Sequence, residues 1–346
     1  MGSADEAPVW TGAQAVDLLR DPAVLDLLLD APALVLDLRD EGPAPVPLER
    51  IPCPVLGLVR SGASTGWAVD LALEEGAADT LLLAEDVEQA AATLVQAARS
   101  APAAAAVLVQ VLRSTATLPV AQALVVESAA YSLLLTGPEF AGWLARRTLP
   151  RPAEADEPGV VVRRDGPLLE LTLDRPSVRN AYDVSMRDGL VQGLTLALLD
   201  PSLGRVVLRG NGPSFCSGGD LRDFGRSTDL VRAHGVRTVR HPGALLNLLA
   251  DRTEAWVHGA CVGAGVELPA FAGRVVARRD AWFRLPELAM GTIPGAGGTV
   301  SLPRRIGAGR TLLLALSGLD LPAVEALRWG LVDTVVDELP ESAVSV

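Results

Sequence analysis

The 346-residue chain contains no lysine, so all 30 of its basic residues are arginine. Without a lysine amine, neither a Schiff base nor a lysine nucleophile is available for catalysis. The formal net charge of −12 argues against nucleic acid as a partner, because phosphate binding requires a basic surface. The composition therefore excludes lysine-dependent catalysis and argues against nucleic-acid binding.

Cysteine is also scarce. Cys53, Cys216 and Cys261 show neither paired metal-ligand spacing nor a disulfide framework, and we predict that they are small buried thiols. No uncharged apolar run reaches ~18 residues, so no membrane span is expected. Because the cysteines lack metal-ligand spacing, no bound metal is predicted. The N-terminus is acidic and lacks a signal-peptide pattern, which predicts a soluble cytoplasmic protein.

What the chain has in quantity is apolar residues, 49% of the total, which is enough for a substantial core. Its length allows one large domain or two ordinary ones. A stretch rich in proline and charge, residues 149–159, is typical of a linker. We therefore predict a first domain at residues 1–150 and a second at residues 160–346.

The second part alternates strand and helix patterns. An Asp165-Gly166 turn predicts a hairpin between strands at 160–163 and 168–173, and helical periodicity runs from 184 to 199. Further strands are predicted at 205–209, 253–258 and 273–277, with helices at 243–250 and after Val262. This alternation predicts an α/β fold with functional turns at strand ends.

The first part has weaker patterns. Strands are predicted at 34–38, 55–59 and 80–83. From 86 to 147 the pattern is almost wholly helical, with breaks at Ala101-Pro102 and Gly137-Pro138. No catalytic candidate stands out in this part of the sequence.

Three glycine-rich stretches and two glutamates are concentrated between residues 214 and 298. The first stretch is Ser214-Phe-Cys-Ser-Gly-Gly-Asp-Leu221, the second ends at Glu267, and the third follows Glu287. Glycine turns expose backbone N–H groups that can hold an oxyanion, and paired carboxylates suit acid–base chemistry. The pattern predicts a site that combines both.

Four segments in sequence order resemble the crotonase superfamily, also called the enoyl-CoA hydratase/isomerase superfamily: 173–181, 214–221, 258–268 and 286–298. Residues 160–337 look like this family. The resemblance implies an α/β fold of the crotonase (ClpP/crotonase-like) type, a ββα superhelix. It also implies an acyl thioester substrate, usually of coenzyme A, with acyl carrier protein as the other possible carrier and no further cofactor.

The resemblance assigns roles to five residues. The backbone amides of Gly219 and Ala264 would polarise the thioester carbonyl. Glu267 and Glu287 occupy the positions of the two catalytic glutamates of the hydratase subgroup, with the acid and the base unassigned. The N–H of Gly295 would help to hold the water.

The same resemblance implies a coenzyme A channel. Asn180 and Ala181 would line it through their backbones. For Arg179 and Arg222 two interpretations stay open: each either binds a phosphate of coenzyme A or is an ordinary surface arginine. Asp220 is predicted to stabilise its own turn rather than to contact the substrate. The full set of implied coenzyme A residues is Arg179, Asn180, Ala181, Asp220, Leu221 and Arg222.

Residues 86–147 resemble the helices that normally end a crotonase chain, notably Glu127-Ser-Ala-Ala-Tyr131, whereas the second part stops where family members continue into those helices. Our hypothesis is a duplicated crotonase whose first part is a degenerate, mainly helical copy that supplies the missing helices. The family commonly forms trimers or hexamers, so a homo-oligomer is expected.

Two glutamates favour hydration of a 2-enoyl thioester, or its reversal. An enoyl-CoA isomerase, a cofactor-independent oxygenase and a catalytically idle scaffold are the alternatives. The segment 225–242 usually shapes the acyl pocket in this family. Its residues Arg232, Arg237 and Arg240 would admit a polar acyl chain or form a solvated helix face.

Overall fold

The computed structural model describes residues 7–40, 46–62, 68–149 and 158–340. Its strands are β1 (Val9–Thr11), β2 (Leu34–Asp37), β3 (Val55–Val59), β4 (Leu71–Glu74), β5 (Gly159–Asp165), β6 (Leu168–Asp174), β7 (Arg205–Gly210), β8 (Thr253–Val257), β9 (Ala260–Val262), β10 (Arg274–Arg278), β11 (Trp282–Arg284), β12 (Leu321–Pro322) and β13 (Thr334–Val336).

The helices are α1 (Gly12–Leu18), α2 (Pro22–Leu29), α3 (Ala78–Leu81), α4 (Val87–Ser100), α5 (Pro102–Thr115), α6 (Val120–Leu134), α7 (Pro138–Arg146), α8 (Val184–Leu199), α9 (Leu230–Val239), α10 (Pro242–Leu248), α11 (Ala264–Glu267), α12 (Gly298–Ser317) and α13 (Ala323–Trp329). A short 3₁₀ turn at Glu287–Met290 carries one of the two predicted glutamates.

The strands form three sheets. A four-stranded sheet in the first part has the order β1-β2-β3-β4, and all its neighbours are parallel. The main sheet of the second part has the order β13-β10-β8-β7-β6-β5 and is parallel except for the β5–β6 hairpin. A small third sheet, β12-β11-β9, places the turn after β9 beside the turn that follows Cys216.

Most sequence predictions for the second part are confirmed. The hairpin turns at Asp165-Gly166, and the helix at 184–199 has the predicted bounds because Asp183 caps it by accepting a hydrogen bond from the N–H of Met186. In the first part, four helices replace the continuous helical pattern, with the predicted breaks at Pro102 and Pro138.

The predicted strand at 80–83 is wrong, because this segment begins in the helix α3. The strand that follows β3 in the first sheet is instead β4, whose residues Leu71 and Leu73 are buried in the core. The carboxyl of Asp79 holds α3 in place by accepting hydrogen bonds from Arg310 and Trp329, which belong to the second part. The predicted linker lies largely outside the described residues, since 150–157 are not among them.

The two parts share one hydrophobic core. Helices α4, α5 and α6 pack against α12, and apolar residues from both parts belong to a single buried cluster. Helix α7 packs against the 3₁₀ turn that begins at Glu287. The helical segment of the first part therefore covers the region in which the glycine-rich turns of the second part meet.

Within the described residues, no single helix has the length and apolar character needed to cross a bilayer. Two bent helix pairs, α4 with α5 and α6 with α7, meet that test together by length and composition alone.

Candidate active site

Two glycine-rich turns lie side by side at the ends of β7 and β9. The backbones of Cys216 and Cys261 form an isolated parallel β-bridge between the two turns. The Val262 N–H donates to the Cys216 carbonyl at 3.0 Å. Gly218 has a φ of +94°, and a Cβ on it would lie 3.2 Å from the Val262 carbonyl oxygen. Only glycine therefore lets the two backbones approach this closely.

Tyr182 holds the first turn in place. Its N–H donates to the Gly218 carbonyl at 2.7 Å, and its carbonyl accepts from the Asp220 N–H at 2.8 Å. These two bonds bracket the Gly219 amide, whose N–H donates to no described acceptor; the same is true of the Ala264 N–H at the start of α11. Both amides are available to a ligand.

Glu267 lies at the end of α11 with only 2% of its surface exposed. Its Oε2 accepts hydrogen bonds from the N–H groups of Ala296 at 2.7 Å and Gly298 at 2.8 Å. Burial raises the pKa of Glu267 to about 7, although the two N–H donors oppose that rise. The carboxyl thus changes its charge near neutral pH.

Glu287 opens the 3₁₀ turn and is also buried, with 8% exposure. Its Oε2 has no hydrogen-bond partner in the described part of the chain. Burial and then the charge of Glu267 raise the pKa of Glu287 well above its ordinary value. A Cβ on Gly263 would lie 2.5 Å from Glu287 Oε1, so the second turn has room for this carboxyl only because it carries glycine.

A third buried carboxyl, Glu127, reaches the same loop from α6 in the first part. Its Oε1 accepts from the Gly297 N–H at 2.8 Å, and its Oε2 accepts from the N–H and the hydroxyl of Thr299 at 2.9 and 2.7 Å. Burial and then the charge of Glu267 raise the pKa of Glu127 to about 8. In the sequence, Glu127 stands out only as part of the segment that resembles the helices ending other crotonase chains, and no role was predicted for it.

One cavity of ≈ 390 Å³ joins these groups. All five residues predicted to be catalytic line it: Gly219, Ala264, Glu267, Glu287 and Gly295. Helices α6 and α7 of the first part add Tyr131, Leu135, Phe140 and Leu144 to the wall, and the segment after the first turn adds Phe224, Leu230, Ala233 and Arg237.

The first part was predicted to supply helices, but its individual cavity-lining residues were not predicted. Its lining residues are ordinary apolar and aromatic positions of amphipathic helices, and no local pattern separates them from core residues. The one available signal was the resemblance of Glu127 through Tyr131 to helices that end other crotonase chains. A Cβ on Gly295 would meet the ring of Tyr131 at 2.7 Å, so α6 lies directly against the third glycine-rich stretch.

The residues implied for coenzyme A lie beside the cavity, and only Asp220 lines it. The side chain of Asn180 is fully buried and donates to the carbonyls of Asn211, Ser214 and Phe215, so it fixes the surrounding turns. Its φ of +53° and that of Arg179, +55°, place both in the left-handed region. Ala181 and Leu221 are half-buried, and Arg179 is exposed.

Asp220 and Arg222 form a tight pair within the first turn. The Asp220 carboxylate accepts from the Arg222 N–H and from its guanidinium, at 3.0 and 2.9 Å among other contacts. Arg175 approaches the same carboxylate at 3.5 Å. Asp220 therefore stabilises its own turn and fixes the Arg222 guanidinium beside it.

Among the described residues, no group of three or more His, Cys, Asp or Glu side chains is arranged to hold a metal ion. The three cysteines are free and buried, as predicted.

Comparison with known proteins identifies the family. A sequence model described as enoyl-CoA hydratase/isomerase matches residues 163–346. The chain is 35% identical over 176 residues to 2,3-dehydroadipyl-CoA hydratase of Escherichia coli (strain K12), a match that covers 51% of this chain and 68% of that protein. It is 36% identical to mevalonyl-coenzyme A hydratase of Aspergillus fumigatus, with coverage of 52% and 67%.

The chain is also similar to solved structures of enoyl-CoA hydratases. An enoyl-CoA hydratase from Bacillus anthracis is 30% identical, with a TM-score of 0.48 and coverage of 51% of this chain and 70% of that one. One from Thermoplasma volcanium is 32% identical, with a TM-score of 0.46 and coverage of 52% and 73%. Because the family match spans just over half of the sequence, the chain belongs to the enoyl-CoA hydratase/isomerase family, and its second part has the crotonase fold.

Proposed function

We propose that the protein adds water across the C2–C3 double bond of a 2-enoyl thioester, or removes it in the reverse reaction. The observation that carries this proposal is that one cavity is lined by two buried carboxyls and by two backbone N–H groups that have no acceptor among the described residues. Membership of the enoyl-CoA hydratase/isomerase family supports an acyl-CoA substrate.

In this proposal, the amides of Gly219 and Ala264 form the oxyanion hole. Both N–H groups lack an acceptor among the described residues, and the turns that carry them adjoin. They would donate to the thioester oxygen as negative charge develops on it in the enolate. One such donor contributes about 3–4 kcal/mol to stabilisation of the transition state.

The two glutamates divide the acid and base roles. Glu267 accepts two N–H bonds on one oxygen, which favours its ionised form, and its pKa of about 7 suits a general base for water. Glu287 has an unpartnered buried oxygen and the charge of Glu267 nearby, which favours its protonated form as the donor to the α-carbon. The Gly295 N–H, beside the Ala296 amide that holds Glu267, would help to position the water.

Coenzyme A would lie across the first turn, outside the acyl cavity. Arg222 and the exposed Arg179 are suited to its phosphates because arginine pairs well with phosphate oxygens. Asn180, Ala181, Asp220 and Leu221 would form the floor of that channel, with Asn180 buried beneath it.

The test is hydration of crotonyl-CoA, followed as loss of the enoyl-thioester absorbance. Glu267→Gln and Glu287→Gln should each lower kcat by about 10²–10⁴-fold. Glu254→Gln is the matched control, because this glutamate on β8 pairs with Arg205 and does not line the cavity. Wild-type turnover in both active-site variants would reject the roles proposed for the two glutamates. Absence of hydration by the wild-type protein would favour an idle scaffold.

Isomerisation is the second candidate, since the matched family includes isomerases. A 3-enoyl-CoA substrate separates the two reactions, because isomerisation creates the conjugated enoyl-thioester absorbance that hydration removes. An isomerase also requires only one base, so it would tolerate one of the two glutamine substitutions. The hydratase proposal requires both carboxyls.

A further inference from the structure

Arg237 extends from α9 into the wall of the acyl cavity. Leu230, Ala233 and Arg237 all line this cavity, and their i, i+3, i+7 spacing places them on one face of the helix. Arg237 also lines an adjoining cavity of ≈ 180 Å³, which shares Tyr182, Asp223, Gly295 and Ala296 with the first. The guanidinium therefore lies where the two spaces meet.

The guanidinium is held in place by α6. Its Nε donates to the Ser128 hydroxyl at 3.1 Å, and its Nη2 donates to the hydroxyl of Ser132, one helical turn further on. The Tyr131 ring lies beneath it, with the Arg237 Cζ 5.0 Å from the ring centroid. Nη1 has no acceptor among the described residues, so one end of a fixed guanidinium is left available.

The charge of Arg237 is not neutralised by an ion pair. All its contacts in the described part of the chain go to hydroxyls, a carbonyl and an aromatic ring, and none goes to a carboxylate. By contrast, Arg187 and Arg240, which line the adjoining cavity, both pair with Asp188, at 2.8 and 3.4 Å. A partly buried cation without a counter-ion is costly unless a ligand supplies one.

Burial lowers the pKa of Arg237 from its ordinary value, while the Tyr131 and Glu127 groups oppose that effect through space. Arginine nevertheless remains protonated in proteins. None of the carboxyls in the cavity wall forms an ion pair with Arg237 in the described structure. Asp220 pairs with Arg222, and Asp223 lies 3.7 Å from Arg226. Glu267 accepts the N–H groups of Ala296 and Gly298, and burial raises the pKa of Glu287.

We propose that Arg237 binds a carboxylate at the far end of the acyl chain, so that the preferred substrate is a 2-enoyl-CoA with a terminal carboxylate. The inference rests on the proposed function for the site, and it adds the class of acyl group. Nη1 would donate to the carboxylate, while Ser128 and Ser132 keep the guanidinium oriented toward it. The apolar residues between the glutamates and Arg237 would contact the methylene chain.

The test compares two six-carbon substrates, 2-hexenoyl-CoA and its analogue with a terminal carboxylate, 2,3-dehydroadipyl-CoA. The wild-type kcat/KM should favour the carboxylate substrate by at least about tenfold. Arg237→Gln should lower kcat/KM for that substrate by about 30-fold and leave the value for 2-hexenoyl-CoA within about threefold. Arg237→Lys, which keeps the charge, should recover part of the preference.

Arg232→Gln is the matched control, because Arg232 is exposed on the same helix and lines neither cavity. Equal wild-type kcat/KM values for the two substrates would overturn the inference, as would equal losses on both substrates in Arg237→Gln. If that variant fails to fold, the wild-type preference and Arg237→Lys still decide the question.

Binding of the saturated esters separates this inference from the proposed reaction. Adipyl-CoA should bind the wild-type protein more tightly than hexanoyl-CoA, and Arg237→Gln should remove the difference, whether or not hydration occurs. Preferential binding without hydration would reject the proposed function alone. Hydration of both substrates with no difference in binding would reject the carboxylate site alone, and failure to bind either ester would reject both.

Discussion

Glu127 and Glu267 hold alternate amides of one loop. Glu267 accepts the N–H groups of Ala296 and Gly298, and Glu127 accepts those of Gly297 and Thr299. The first glutamate belongs to the helical part of the chain and the second to the crotonase part. Four consecutive backbone amides are thereby fixed by two carboxyls, one from each part of the chain.

This arrangement predicts a positioning role for Glu127. In Glu127→Ala the buried amides of Gly297 and Thr299 lose their acceptor, at a cost of about 1–3 kcal/mol for each unsatisfied group. The loop that orients Glu267 should relax, so kcat for the hydration proposed above should fall about 10–100-fold while KM changes little. Stopped-flow or steady-state kinetics would measure both constants.

Glu139→Ala is the control for that prediction. Its carboxylate also accepts two backbone N–H groups, those of Ala103 and Ala104, but it does not line the cavity. It should lower the free energy of unfolding and leave kcat unchanged. A Glu127→Ala protein with the wild-type kcat would show that Glu127 has no positioning role.

The buried carboxyls predict that the protein loses stability as the pH rises above the acidic range. In the unfolded chain a glutamate ionises near pH ~4.3, whereas burial raises the folded-state pKa values to about 7 for Glu267 and about 8 for Glu127. Between these values the folded state binds more protons than the unfolded state. The stability that these groups contribute is therefore complete below about pH 4 and declines until the pH passes the folded pKa.

The measurement is the unfolding free energy, or Tm, between pH 5 and 8. The wild-type protein should lose of the order of 3 kcal/mol across that window through Glu267. Glu267→Gln cannot ionise, so its stability should depend less steeply on pH. If stability fell equally steeply with pH in both proteins, the raised pKa of Glu267 would be contradicted.

A side chain at position 263 is expected to displace the Glu287 carboxyl. In Gly263→Ala the new Cβ would lie 2.5 Å from Glu287 Oε1, so the carboxyl must move. We expect hydration activity to fall by about 100-fold or more, since a displaced acid cannot reach the substrate. Steady-state kinetics with crotonyl-CoA would measure this loss.

Gly166→Ala separates that effect from backbone strain. Gly166 has a φ of +52°, close to the +50° of Gly263, yet a Cβ on it would meet nothing within 4 Å. Both substitutions should lower the free energy of unfolding by about 1–3 kcal/mol through strain, but only Gly263→Ala should lose activity. Equal activities in the two variants would show that the position of Glu287 is irrelevant to turnover.

The helical first part should be required for the second part to fold. Residues 160–346 expressed alone would expose the face of α12 that contacts α4, α5 and α6, and would lack Glu127 and Tyr131. We expect an insoluble or poorly folded product, with solubility recovered when residues 1–150 are co-expressed as a separate chain. A soluble and active fragment would contradict the hypothesis that the first part supplies the missing helices.

The sequence alone determined the crotonase fold of the second part and the two glutamates. Glycine turns, capping residues such as Asp183 and the Asp165-Gly166 hairpin act on near neighbours, so their chemistry can be recognised in a linear sequence. The amides of Gly219 and Ala264 were assigned through the resemblance of these glycine-rich turns to those of the crotonase family.

Only the tertiary structure decided which residues from distant parts of the chain contact this site. Glu127 is 170 residues from Gly297, and Arg237 is 109 residues from Ser128, so no local periodicity connects either pair. The error at 80–83 has the same origin, because Asp79 holds that turn to Arg310 and Trp329 far along the chain. Contacts between α6, α9 and α12 depend on how helices pack, and packing depends on the whole folded chain.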